Sequence, residues 1–475
     1  MTVTEQQMSI DRKARMKIPY AAPPVRSVAE RVRDFREVRL PITPERAIRE
    51  ASRCLQCSMA PCVKACPAGN DIPAALRLIE KGDFLGAAHV YRRTSTMPQI
   101  CGRICPQEQL CQSSCVRNKN HEPVLCGALE AFVADFERLQ NPYTIRPGTS
   151  TGKRAAIVGS GPAGLSCAEQ LIVRGHRVTV FESASAPGGL LIYGVPAFKL
   201  DPSVVRALIE DLLQAGIEIQ TGVTIGKARP VDRLFQDGYQ AVFLGTGAST
   251  PICMQIPGTD LEGVFPPDEF LSRLNVDPSL LPAGWREPLK VGRRIAVIGG
   301  GDTASDCLRT ALRKGADHVI CLYRRTEAEM PGGKKDRALA REEGAEFRFL
   351  AQPVRFLPGS DGRVGAIECL ECELGAMDAE GRRRPIPVDG SNFIVEADTV
   401  VCALGYTADP GIARTVTGLA IDDNGLMQTD PRTGATSHPA IFAGGDGVYG
   451  PDLVVTAMAA GRLAAASIDR YLQTL

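Results

Sequence analysis

The chain has 475 residues, 44% of them hydrophobic, which is enough for about three domains with sizeable cores. Lysine and arginine total 55 against 54 aspartates and glutamates, a balance that speaks against a general nucleic-acid or anionic-membrane surface. Met1 to Lys17 contains no apolar signal core and no later run is apolar and long enough to span a bilayer, so a soluble, cytoplasmic protein is expected.

The first 40 residues are polar, with an Arg-rich stretch from Arg26 to Arg39 that reads as a solvated face in preference to a partner-facing amphipathic helix. Thr43 and Pro44 then form a helix start, cap followed by first helical position. That helix runs into the cysteines. Sixteen cysteines without a secretion signal indicate metal or redox chemistry and not a disulfide framework, and nine of them lie in the first 130 residues. Cys54, Cys57, Cys62 and Cys66-Pro67 resemble the bacterial ferredoxin run, and Cys105-Pro106, Cys111 and Cys115 follow at ligand-type spacings. Structural zinc is the rival, but it favours paired knuckles, whereas these spacings are unequal and both groups include a Cys-Pro. Ile72 to Tyr91 and Leu125 to Leu139 read as helices. Residues 1–145 are therefore expected to form a small helical domain around two iron–sulfur clusters, followed by a linker from Asn141 to Gly152.

From Lys153 the pattern changes. The strand Ala155 to Val158 enters Gly159-x-Gly161-x-x-Gly164, a helical stretch follows, and the strand Arg177 to Phe181 delivers Glu182. The first glycine permits the turn, the second lets a pyrophosphate approach the backbone, the third lets helix and strand pack, and Glu182 stands where a carboxylate meets an adenosine ribose. This half is expected to hold FAD. The glycine-rich loop Pro187 to Pro196 fits against a flavin ring or is an ordinary loop. A helix Pro202 to Gln214, a strand near Ile217 to Gln220 and the strand Ala241 to Leu244 complete the half.

The pattern then repeats. The strand Arg294 to Ile298 enters Gly299-x-Gly301-x-x-Ala304, and the strand His318 to Tyr323 ends where the first half has its acid. Here Arg324 and Arg325 follow instead, which suits a ribose 2′-phosphate and so NADPH; the alternative is two solvated arginines. The strand Thr399 to Ala403 and Leu404-Gly405 close this half. Ala440 to Asp446 and the helix Val454 to Leu472 return to the first, with Asp446 placed for flavin ribityl or phosphate oxygens. Cys167, Cys253, Cys307, Cys321 and Cys402 read as small core residues, and Cys369 and Cys372, three apart on a strand, do not read as ligands.

Together, Ala51 to Cys57, Gly102 to Pro106, Val158 to Gly164, Gly299 to Ala304, Tyr323 to Thr326, and Gly444 to Asp446 with Ala457 to Gly461 resemble the small (beta) subunit family of NADPH-dependent glutamate synthase. The flavin and NADPH module of dihydropyrimidine dehydrogenase and the large subunit of NADH-dependent ferredoxin:NADP oxidoreductase are its relatives. The resemblance covers nearly the whole chain, from about Val32 onward. It implies one [4Fe-4S] cluster on Cys54, Cys57, Cys62 and Cys115, and a second on Cys66, Cys105, Cys111 and an acid at Glu130. Cys101 and Cys126 are not part of that ligand set, and Cys126, one helical turn before Glu130, is the rival for the eighth place.

The fold expected is α/β: the helical cluster domain (1–145), then two doubly wound, Rossmann-like domains. The NADPH domain (291–409) is inserted in the FAD domain (153–290 and 410–475). The cofactor contacts expected are Gly159, Gly161, Pro162, Ala163, Gly164, Glu182, Gly188, Gly189, Leu190, Gly445, Asp446, Val455 and Thr456 for FAD. For NADPH they are Gly300, Gly301, Asp302, Thr303, Ala304, Arg324, Arg325 and Gly405. The expected activity is oxidation of NADPH at FAD, with electrons leaving through two clusters to a larger glutamate synthase subunit. The alternatives are a ferredoxin-type partner in a bifurcating enzyme, a dihydropyrimidine dehydrogenase, or a zinc-stabilised nucleotide-binding adaptor. Hydride and electron transfer belong to the cofactors, so no general acid or base is named. Met1-Thr2 offers no nucleophilic cysteine for releasing ammonia from glutamine, and no FMN barrel is present, so those steps require another polypeptide.

Overall fold

Thr43 accepts a hydrogen bond from the Arg46 backbone N–H and Pro44 opens the helix Pro44–Ala51. This is a computed structural model, which describes residues 11–140, 142–226, 228–378 and 381–475. Residues 1–10 of the polar N-terminal stretch, Met1-Thr2 among them, and the linker's Asn141 lie outside the described residues. The chain divides into two compact units: the described residues up to Val25 with Arg39–Ile145 and Leu453–Ala459, and Arg26–Val38 with Arg146–Asp452 and Ala460–Leu475.

The first unit is helical. Expected as one helix, Ile72 to Tyr91 is two, Ile72–Glu80 and Phe84–Arg92, because Lys81-Gly82-Asp83 carries both a stop and a start. Gly82 takes φ +79°, and Asp83 caps the second helix by accepting from the Gly86 N–H at 2.9 Å. The long helix Cys126–Gln140 packs its Leu129 and Val133 into a core with Ala47, Ala51, Leu76, Ile79 and Ala87.

The second unit holds two five-stranded sheets whose pairings are parallel throughout. In the first, the order is Ile441–Ala443, Ala241–Leu244, Arg154–Val158, Arg177–Phe181, Glu218–Gln220; in the second, Val264–Phe265, Thr399–Cys402, Arg294–Ile298, His318–Tyr323, Glu346–Phe349. Their central strands are apolar and buried on both faces, as parallel sheets covered by helices require. Ile441–Ala443 returns to the first sheet after the whole second sheet has been made, which is the insertion expected. Val264–Phe265 joins the second sheet, so that half draws on chain ahead of residue 291. A further four-stranded antiparallel sheet, Ala351–Pro358, Val364–Met377, Arg383–Pro387 and Phe393–Glu396, interrupts the second half and was not foreseen.

Two sequence expectations fail here. Cys253 is exposed, whereas Cys167, Cys307, Cys321 and Cys402 are buried as expected. The Arg-rich stretch is a solvated face only in part: Arg33 and Arg36 are exposed, but only Val28–Arg31 is helical and Arg31 is 1% exposed. Its guanidinium donates to Glu343 at 2.9 Å and to Glu342 at 2.7 Å. Glu343 also accepts from Arg309 at 2.9 Å and Arg313 at 2.7 Å, so one buried carboxylate holds three buried guanidiniums. The Phe198 ring lies under two of them, 4.6 Å from Arg309 and 4.1 Å from Arg313. Burial alone would push the Glu343 carboxyl up, but hydrogen bonds from Arg313 and Arg309 outweigh it and the net shift is down.

Removing Glu343 leaves three buried cations without their shared partner, so Glu343→Ala should cost about 3–5 kcal/mol in chemical denaturation, against at most about 1 kcal/mol for a surface pair. Because its folded pKa is depressed, Glu343's contribution is intact above the ordinary value of 4.5 and is lost as pH falls through the depressed one; the variant should therefore differ most from wild type near neutral pH.

Candidate functional site

The cysteines of the first unit sort into two sets. Cys54, Cys57, Cys62 and Cys115 line one cavity, whose walls include Ile72, Leu76 and Val124. Burial pushes the Cys54 thiol up to about 11 and the Cys62 thiol to about 12. Around this cavity Arg15 donates to the Cys54 carbonyl at 2.8 Å, Arg12 to Leu55 at 3.2 Å, and Arg117 to Arg53 at 3.4 Å. The second set is Cys66, Cys105 and Cys111, each of which has Glu130 as an electrostatic neighbour. Glu130 is buried, and Asn70 donates to its Oε1 at 3.2 Å. Thr94 in turn donates to the Asn70 carbonyl oxygen at 2.7 Å, which fixes the amide with its N–H toward Glu130. Burial pushes the Glu130 carboxyl well up, with Cys101 and Cys111 adding to the effect.

The residues fit iron–sulfur clusters. Thiols this reluctant to ionise become ligands only when a metal supplies the positive charge. The Tyr91 hydroxyl is buried without a hydrogen-bond partner and has Glu130, Cys126, Cys111 and Cys66 as electrostatic neighbours, an orphan donor beside the second set. Among the described residues no group of three or more His, Cys, Asp or Glu is arranged to hold a single metal ion. The two surplus thiols are paired with ligand candidates, Cys101 with Cys105 and Cys126 with Cys111, and Cys126 lines the first cavity.

In the second unit the first glycine motif has the geometry of a phosphate cradle. Gly159 takes φ +97°, and a Cβ on Gly164 would stand 1.9 Å from the Gly159 carbonyl oxygen, so only glycine lets helix Pro162–Ile172 press onto the strand. Gly161 is the helix N-cap with φ −69°, and a Cβ there would meet nothing within 4 Å. No side chain caps this helix, which leaves its first N–H groups for an anion. Pro162 and Ala163 form its first turn, and Gly461 of the final helix packs against the Ala163 carbonyl. Ser160, not singled out in the sequence, joins the parts: its hydroxyl donates to Glu182, its backbone N–H donates to Glu182 at 3.0 Å, and its oxygen accepts from the Gly188 N–H at 2.9 Å. The Ala184 N–H donates to the other Glu182 oxygen at 2.7 Å. A Cβ on Gly189 would lie 3.0 Å from the Gly161 Cα, so the Gly188-Gly189 loop runs beside the cradle, with Leu190 partly exposed next to it. Gly445 takes φ +77° before Asp446, and Gly447 packs against Thr246 and Gly247 at the end of the neighbouring strand. Burial pushes the Asp446 carboxyl up to about 7. Val455 and Thr456 fall in the segment Leu453–Ala459 grouped with the first unit, where the Thr456 hydroxyl donates to Leu453.

The second motif repeats the geometry. Gly301 is an N-cap with open space at its Cα, Gly300 packs on the Tyr323 ring, and in the Asp302–Arg313 helix Thr303 is half-buried and Ala304 buried. The Pro331-Gly332-Gly333 turn closes on it: Gly332 donates to the Gly300 carbonyl at 3.0 Å and Gly333 to Asp302 at 2.7 Å. Gly405, φ +105°, accepts from the Ile252 N–H. The two arginines part company. Arg324 is exposed, while Arg325 is buried, donating to the Arg383 carbonyl at 2.7 Å and to Asp378 at 2.9 Å.

A model of dihydropyrimidine dehydrogenase domain II, 4Fe-4S cluster, matches residues 31–142, and one of the pyridine nucleotide-disulphide oxidoreductases matches residues 153–461. The glutamate synthase [NADPH] small chain of Escherichia coli K12 is 38% identical over 458 residues, covering 95% of this chain and 97% of that one. The chain belongs to the glutamate synthase small-chain family. The same small chain from Halomonas elongata is 41% identical over 93% of this chain and 94% of its own. The putative oxidoreductase AegA of E. coli is equally similar, 41% over 94% of this chain and 69% of its own. Mycobacterium tuberculosis FprA in complex with NADPH shares the fold at 20% identity, with a TM-score of 0.56 over 68% of this chain and 85% of that one. As a small-chain family member the protein is an oxidoreductase with a 4Fe-4S domain ahead of its nucleotide-binding sheets.

Gly164→Ala should lower the unfolding free energy of flavin-free protein by about 1–3 kcal/mol, since the new methyl meets a backbone oxygen. Gly161→Ala, in open space at an ordinary φ, should change it by no more than about 0.5 kcal/mol. Equal losses would show that Gly161 is packed and not part of an open cradle.

Proposed function

We propose that the chain oxidises NADPH at FAD and passes the electrons through two [4Fe-4S] clusters to a larger partner chain, as the small subunit of a glutamate synthase. The observation that carries the reading is the grouping of the cysteines: Cys54, Cys57, Cys62 and Cys115 around one cavity that Cys126 also lines, and three with a buried acid beside the orphan Tyr91 hydroxyl. Cys54, Cys57, Cys62 and Cys115 hold one cluster, and Cys66, Cys105, Cys111 and Glu130 the other. The Gly161 turn and Glu182 would hold the pyrophosphate and adenosine ribose of FAD, and the Gly301 turn the pyrophosphate of NADPH. Hydride acceptance and single-electron release are chemistry the bound cofactors supply; the chain's part is to hold them and keep water from the reacting atoms. Residues 1–145, less the Arg26–Val38 segment, serve the clusters, 153–290 and 410–475 serve FAD, and 291–409 with the Val264–Phe265 strand serve NADPH.

The coenzyme and the partner follow the relatives' names, which are NADPH small chains of glutamate synthase. The equal likeness to AegA makes the partner the part to test first, by co-purification with a glutamate synthase large subunit. No helix among the described residues is long and apolar enough to cross a membrane, and we place the protein in the cytoplasm on its sixteen cysteines, none of them in a disulfide.

Anaerobically purified protein should carry about eight irons per chain, the content of two cubanes. About four irons, or zinc in their place, would overturn the two-cluster reading.

Arg324 is the exposed cation at the ribose end of His318–Tyr323, so Arg324→Ala should raise the NADPH concentration needed for flavin reduction on the order of tenfold and leave NADH nearly unaffected. Arg325→Ala removes the Asp378 pair and should weaken both coenzymes together with a loss of thermal stability. Stopped-flow bleaching of the flavin separates the two outcomes; an Arg324 variant that loses NADH equally would withdraw the 2′-phosphate contact.

A further inference from the structure

Gln56 stands between two cysteines of the first set, Cys54 and Cys57, and its backbone takes φ +49°. A residue other than glycine stays in that region only when its surroundings hold it there. The hold is its side-chain amide. Arg77 donates to Gln56 Oε1 at 3.1 Å, and since arginine can only donate, the orientation of the amide is decided. The two N–H donors on Nε2 then face Pro73 and Cys54: the Pro73 carbonyl oxygen is at 2.9 Å and the Cys54 Sγ at 3.6 Å. The Gln56 backbone N–H also serves the Cys54 sulfur. Arg12 donates to the Gln56 carbonyl at 3.3 Å, which ties down the remaining polar group. The residue is 9% exposed, so water does not compete freely for these bonds. Arg15 and Arg117, the other nearby cations, donate to backbone carbonyls around the same cavity.

We propose that Gln56 sets the reduction potential of the cluster held by Cys54, Cys57, Cys62 and Cys115, keeping it higher than the four buried thiolates alone would allow. The proposal rests on the reading of that set as a cluster site. Reduction adds one electron, taken from the flavin in the proposed activity, to a group whose four thiolates are already negative; no bond forms or breaks and no proton moves. An N–H aimed at a ligand sulfur stabilises the added charge, and does so more strongly in a buried site than in water. Gln56 is thus a positioning residue for electron transfer: it helps decide whether the cluster accepts the flavin's electrons readily.

The test is potentiometric titration of the whole cofactor-loaded chain, purified anaerobically, followed by electron paramagnetic resonance and accompanied by iron analysis. Gln56→Leu removes the donor. Gln56→Glu keeps the shape and the Arg77 contact but places an acceptor where the donor stood, and it decides the matter if the leucine variant fails to load. With iron content equal to wild type, one cluster midpoint should fall, by on the order of tenfold in the reduced-to-oxidised ratio at fixed potential, or about 59 mV for one electron. Any other midpoint should stay where it is. Full iron content with an unmoved midpoint overturns the proposal, and so does loss of iron from both variants, which would assign Gln56 to the folding of its loop. Wild-type protein that binds no iron at these cysteines would instead overturn the cluster reading on which the proposal stands, and the iron analysis alone tells these failures apart.

Discussion

Both nucleotide-binding halves depend on backbone approaching backbone more closely than a side chain permits. At the first turn the space a Gly164 Cβ would need is already filled by the Gly159 carbonyl oxygen, and at the second the space beside Gly299 is filled by the Ala403 carbonyl oxygen. With the helix pressed onto the strand, its uncapped N–H groups point into the open space at Gly161 in one half and Gly301 in the other. The final helix obeys the same constraint, since Gly461 rests on the Ala163 carbonyl. Ser160 then locks the strand end to Glu182 and to the Gly188 loop, so the acid after the second strand and the glycine-rich loop are placed by one hydroxyl.

Buried charge organises the remainder. Glu343 is tolerated in the interior because Arg31, Arg309 and Arg313 converge on it, and that convergence fastens Arg26–Val38 to the nucleotide-binding unit. Around the first cysteine set the nearby cations are turned mostly to backbone. Arg12, Arg15 and Arg117 spend their guanidiniums on backbone carbonyls and Glu80, and burial pushes the Cys54 and Cys62 thiols up. Metal binding therefore has to release protons and to contribute to the stability of the unit, whose core lies against the same cysteines.

Much of this was legible. Capping signals located Thr43, the glycine spacings and apolar strands located both sheets, and the repeat announced the insertion, because each of these is a local rule that a few neighbouring residues satisfy by themselves. Ser160 carried no such signal, since the middle position of a GxG turn accepts many residues. Of the antiparallel excursion from Ala351 to Glu396 only the strand that carries Cys369 and Cys372 was read, because the alternation along the others is weak.

The sequence by itself determined which residue types stand at which spacings: two glycine turns with their helices, an acid after one and arginines after the other, and cysteines in ligand-type groups. Tertiary structure alone decided what each charged group does. Arg324 and Arg325 are neighbours in the bend after His318–Tyr323, yet one is exposed and the other is committed to Asp378. Arg31 looked like a solvated cation until a helix more than three hundred residues away brought Glu343 to it. Partners of that kind are set by packing and not by local propensity, and no pattern in the sequence records which carboxylate a buried arginine will meet.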